Sequence, residues 1–65
     1  MTTPEQAIGQ GDNVRLIRVH HAMAGVVKDR LGKIGRVSEV DDALGCLVYF
    51  GVFGWWIKPR YLEKV

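Results

Sequence analysis

The second half of the chain alternates short runs of strand-forming residues with glycine-bearing punctuation and leaves no room for a long helix. From position 32 it reads Gly-Lys-Ile-Gly-Arg-Val, then Cys-Leu-Val-Tyr-Phe, then Gly-Trp-Trp-Ile-Lys-Pro-Arg-Tyr-Leu-Glu-Lys-Val. Short runs of β-branched and aromatic residues bounded by Gly, Asp, Asn and Pro read as strands joined by turns. Several such strands within 65 residues must hide their edges, and a small, partly open β-barrel does so with little chain.

Size narrows the options further. A chain this short buries only about 60% of the surface its unfolded form exposes, so one tightly packed core is expected. Cys46 is the single cysteine, which excludes a disulfide framework and a four-cysteine zinc site and fits a reducing, cytoplasmic setting. No apolar run approaches the roughly 20 residues of a membrane helix. The first residues, Met-Thr-Thr-Pro-Glu-Gln, lack the positive charge and apolar stretch of a secretory signal. A net charge of +2 falls short of the basic density that announces nucleic acid by itself.

Along the chain, residues 1–10 are expected to be a flexible lead-in and residues 11–65 the barrel. Gly11-Asp12-Asn13 is a turn signal that opens a first strand over 14–19, ending near His20. Residues 21–31 have no clean period and form a long excursion, with room for one helical turn or an irregular hairpin. A second strand covers 33–40, where the interior Gly35 calls for a bulge, a barrel corner or a close backbone approach. Residues 41–45 are a hairpin turn into a third strand, 46–50, whose alternation turns Cys46, Val48 and Phe50 inward and Tyr49 outward. Residues 51–54 connect to a fourth strand, 55–58, with Trp55 and Ile57 inward and Trp56 outward. Pro59 ends it, a short 3₁₀ turn follows, and residues 62–65 close the barrel as a fifth strand.

Gly11-Asp12-Asn13-Val14-Arg15-Leu16, Gly32-Lys33-Ile34-Gly35-Arg36-Val37, Val48-Tyr49-Phe50 and Leu62-Glu63-Lys64-Val65 resemble the SH3-like barrel superfamily. Within it they are most similar to the electron-transport accessory group, which includes a small accessory protein of photosystem I and the variable chain of ferredoxin–thioredoxin reductase. The resemblance covers residues 11–65 and implies a non-catalytic accessory domain that docks on a protein. Gly32-Lys33-Ile34-Gly35-Arg36-Val37 also resembles the KOW motif of ribosomal and transcription-elongation proteins. The barrel is similar to plasmid-encoded type II dihydrofolate reductases too, but Trp55-Trp56-Ile57-Lys58 replaces their Val-Gln-Ile-Tyr strand, so their catalytic residues are not carried over. Nor is the proline-peptide groove of eukaryotic SH3 domains, because Pro59-Arg60-Tyr61 is one residue short of its motif.

No constellation demands catalysis, a metal or a cofactor, and the chain is expected not to be an enzyme. His20 and His21, adjacent in a strand, would point to opposite faces and not ligate one ion. Cys46 alternates with core positions and behaves as a buried hydrophobe. Asp41 and Asp42 are a solvated turn, and no Gly-Lys-Ser/Thr follows Gly32 to make a phosphate loop. The candidates are therefore surfaces. Tyr49, Trp56 and Tyr61, with His21 and Met23 from the excursion, form an expected protein-binding or self-association patch, since exposed aromatics anchor interfaces. Arg15, Lys33, Arg36, Lys58 and Arg60 are the alternative, a phosphate-contacting set for nucleic acid.

Overall fold

The computed structural model describes residues 7–65. It is an all-β, partly open barrel of five antiparallel strands: β1 (Asn13–Leu16), β2 (Ile34–Asp41), β3 (Gly45–Phe50), β4 (Phe53–Ile57) and β5 (Leu62–Lys64). Within the long excursion after β1 lies a single helical turn, α1 (Gly25–Lys28). A 3₁₀ turn, Pro59–Tyr61, precedes β5. The sheet order is β4-β3-β2-β1-β5, so β4 and β5 are its two edges.

Every strand sends residues into one core, formed by Val14 and Leu16 of β1, Val37 of β2, Cys46 and Val48 of β3, Ile57 of β4 and Leu62 of β5. Val27 of α1 joins them and plugs the end of the barrel that the excursion covers. Phe50 packs half-buried against this cluster, and so does Ile8. Of the expected lead-in, residues 1–6 lie outside the described residues. Gly11 donates its N–H to the Val37 carbonyl at 2.7 Å, which ties the start of the barrel to β2.

Gly35 has the close backbone approach expected of it. A Cβ there would stand 2.6 Å from Val48 Cγ1 and 2.8 Å from the Tyr49 carbonyl oxygen, so only hydrogen fits between β2 and β3. The bulge lies farther along, where the β2–β3 register shifts between Val37 and Glu39.

Two strand boundaries, each by more than one residue, and the placement of Trp55 differ from expectation. The first strand stops at Leu16 instead of running to Val19, because its partners run out. The Leu16 N–H bonds the Lys33 carbonyl, the Ile17 N–H bonds the Tyr61 carbonyl, and the chain then leaves the sheet. The fourth strand starts at Phe53, not Trp55, since Gly51 at φ 73° reverses the chain within two residues. As a result Phe53 pairs with Phe50 and Trp55 with Val48. Trp55 has the core-side parity of Ile57, yet it is 37% exposed and outside the core. It sits on an edge strand, with no strand beyond it to close over the indole.

Candidate protein-docking face

The outward surface of β2, β3 and β4 follows from the strand registers. Arg36 pairs with Tyr49, and Tyr49 with Gly54. In the next row Glu39 pairs with Leu47, and Leu47 with Trp56. Paired residues in an antiparallel ladder lie side by side on one face. Tyr49 and Trp56 are thus diagonal neighbours on the outer face, with Leu47 beside them.

Gly54 gives this face its shape. A Cβ at position 54 would lie 2.6–2.9 Å from ring atoms of Tyr49, so the phenol lies flat across the bare backbone of β4. The ring is fixed from below by the strand and remains 41% exposed above. Beside it an open cleft of about 350 Å³ is lined by Gln10, Gly11, Arg36, Val37, Ser38 and Tyr49. A shallower recess of about 250 Å³ lies at Gly54, Trp55 and Trp56. Gln10, Ser38 and Gly54 were not singled out from the sequence. The signal for Gly54 is a glycine paired with an aromatic, which becomes visible only once the β3–β4 register is known.

The other expected members are placed elsewhere. Tyr61 belongs to the 3₁₀ turn and packs half-buried against the core, with the Arg60 guanidinium 5.3 Å from its ring centre. Met23 is also packed on the core, and its sulfur accepts the His20 N–H at 3.4 Å. His21 is exposed in the excursion, where its carbonyl accepts Lys28 Nζ at 2.8 Å. Tyr49 and Trp56 form one face; Tyr61 and Met23 buttress the barrel.

The basic residues divide in the same way. Arg15 faces outward on β1 and pairs with Glu63 at 3.7 Å across the β1–β5 ladder. Lys58 donates to the Ala43 carbonyl at the β2–β3 hairpin, and Arg60 is over Tyr61. Lys33 is exposed at the neck of the excursion. Only Arg36 borders the Tyr49 ring in register.

His20 and His21 are not in a strand, so the opposed geometry expected of them does not arise. Their rings meet at 4.2 Å, tilted by 32°. Among the described residues no three His, Cys, Asp or Glu side chains gather as a metal site. Cys46 is buried, and desolvation raises its thiol pKa, which keeps it protonated and unreactive. Asp41 is held below the usual carboxylate range by the N–H groups of Leu44 and Ala43, a turn function.

No protein-family model, curated protein or solved structure matches the chain. No helix among the described residues is long and apolar enough to cross a membrane.

Proposed function

We propose that the chain is a non-catalytic binding module that docks a protein partner on the outer face of β3 and β4. The observation that carries this reading is the Tyr49 ring laid on Gly54. An aromatic fixed over glycine backbone and open to solvent is ready for a partner, with little side-chain entropy left to lose on binding. Trp56 and Leu47 extend the apolar area, and the adjoining cleft offers Arg36, Ser38 and Gln10 as hydrogen-bonding groups at its rim. This is the mix of aromatic anchor and polar border found at interface hot spots.

Nucleic-acid binding is the alternative and has less support from the geometry. Of its five basic residues, Arg15, Lys58 and Arg60 are each engaged within the chain, Arg15 on β1 and the other two at the 3₁₀ turn. Lys33 and Arg36 alone give phosphates a poor track.

The test is selection of peptide ligands from a random display library, followed by titration against the intact chain and against Tyr49→Ala. Truncating an anchor should weaken selected peptides by at least about tenfold while the circular dichroism spectrum is retained. Equal affinity for both proteins refutes the assignment of the face. A parallel gel-shift with mixed DNA and RNA, showing retardation that collapses steeply with salt, would instead move the function to the alternative.

A further inference from the structure

The two edges of the sheet are protected unequally. β5 has three residues, two of them the exposed charges Glu63 and Lys64. β4 has five residues, Phe-Gly-Trp-Trp-Ile, with no charge, no proline and no register shift against β3. Phe53 is 48% exposed and Val52, at the tip of the preceding turn, 88%. Edge strands are ordinarily guarded by charge, proline, a bulge or short length. β5 has two of these devices and β4 has none.

The backbone of β4 is presented for pairing. Gly51 has positive φ and Val52 does not, the pattern of a two-residue II′ turn. Phe50 and Phe53 therefore flank the turn as a hydrogen-bonded pair. By alternation the N–H and C=O groups of Gly54 and Trp56 point away from β3, toward the open edge.

The charge distribution selects the partner. Residues 17–33 contain Arg18, Lys28, Arg30 and Lys33 against Asp29 alone, a net +3, whereas the whole chain has +2 and its remainder therefore sums to −1. The hairpin at the other end of β2 carries Glu39, Asp41 and Asp42 against Lys58. β4 runs from one end to the other. Phe53 lies under the Arg30 guanidinium, 5.4 Å from its ring centre, and Ile57 pairs with Cys46 beside the hairpin.

We propose that the chain dimerises by antiparallel pairing of β4 with β4 of a second copy. Antiparallel alignment sets the basic excursion of each copy against the acidic hairpin of the other, and the twofold axis makes that match twice. Parallel alignment would bring like charges together. The contact is isologous and closes on itself, so it ends at a dimer and does not propagate. Phe53 and Trp55 are covered, and the sheet runs continuously through both copies. This pairing uses the edge of β4 and does not depend on the Tyr49 docking face.

Sedimentation equilibrium of the intact chain tests it, together with amide exchange at Gly54 and Trp56. The expected result is a species of twice 7.3 kDa whose dissociation constant rises about tenfold from low to high salt. Exchange at both amides should slow as protein concentration rises. Trp55→Lys, which places a charge on the edge, should be monomeric and folded, and Asp42→Lys should weaken the dimer about tenfold at low salt. If Trp55→Lys does not fold, Asp42→Lys and the two amides decide. A wild-type mass of 7.3 kDa at every concentration overturns the proposal, as does a folded Trp55→Lys that still dimerises. Dimerisation abolished by Tyr49→Ala but untouched by Asp42→Lys would assign self-association to the outer face, overturning edge pairing and sparing the docking reading. Amides protected only when a selected peptide is added would give the edge to another protein and equally refute self-pairing.

Discussion

At the hairpin end of the barrel, the turn between β2 and β3 is held mainly by its own residues, with one added bond from Lys58 to the Ala43 carbonyl. Asp41 Oδ1 accepts the N–H groups of Ala43 at 2.7 Å and Leu44 at 2.9 Å, and Gly45 reverses the chain at φ 99°. The opposite end is closed by residues distant in sequence. Gly32 bonds Leu16, Ile17 bonds Tyr61, Val27 inserts among the strands, and Arg30 reaches Phe53. The first end is specified by a few adjacent side chains and the second by the assembled barrel. A locally coded turn can form early and tolerates change elsewhere, whereas a cap made of remote contacts is only as stable as the walls it rests on.

That difference is broken most severely at Gly45. A Cβ there would stand 2.6 Å from the Ile57 carbonyl oxygen and 3.0 Å from Lys58 Cα, on a backbone that only glycine adopts freely. Gly45→Ala adds strain to a backbone clash and should cost about 3–5 kcal/mol. A domain of this length has roughly 3–10 kcal/mol in all. The expected outcome is a melting midpoint lowered by about 15–40 °C, read by circular dichroism; a wild-type-like melt would show that the hairpin can reshape.

Val27→Ala probes the other end with a smaller effect. Loss of two buried methyl groups and the space they leave should cost about 2 kcal/mol. Because Val27 is the plug and not a wall, the loss should appear first as faster amide exchange at Val27, Lys28 and Asp29. The strand amides of β2 and β3 should follow only the global change. Uniform acceleration throughout the barrel would mean that the cap and the walls unfold as one unit.

The same contrast explains what could be read from the sequence. The hairpin, the inward set Cys46, Val48 and Ile57, the outward Tyr49, the 3₁₀ turn at Pro59 and the need for space at Gly35 all follow from residues within a few positions of each other. The end of β1, the helical turn at Gly25–Lys28 and the exposure of Trp55 do not. Strand-forming residues continue past Leu16 to Val19, but the backbone partners stop at Ile17, whose N–H meets the Tyr61 carbonyl. Val26 and Val27 have no helical period of their own, and Val27 is placed by the cavity it fills. Trp55 has core parity on an edge strand, so its exposure depends on sheet order, which local pattern does not encode. The proposed docking face shows the same limit. Tyr49 and Trp56 were legible from alternation, whereas the removal of Tyr61 and Met23 to the core needed the three-dimensional path of the excursion.

The smallest expected effect is on pH dependence, and it belongs to the hairpin end alone. The Leu44 and Ala43 N–H groups favour the ionised form of Asp41 and lower its pKa below the ordinary 3.8. A group whose folded pKa is depressed contributes stability that is complete above its unfolded pKa and is lost as pH falls through the folded one. The hairpin should therefore be insensitive to pH from neutrality down to about 4 and loosen below it. Amide shifts and exchange at Ala43 and Leu44 would follow this titration while those of Val27 and Lys28 stay flat. Asp41→Asn keeps the accepting oxygen without the charge, so it should preserve the turn and remove the acid transition at Ala43 and Leu44. If the transition persists in Asp41→Asn, the Asp41 carboxylate does not govern the turn, and the two bonds it accepts from Ala43 and Leu44 are not what the acid transition breaks.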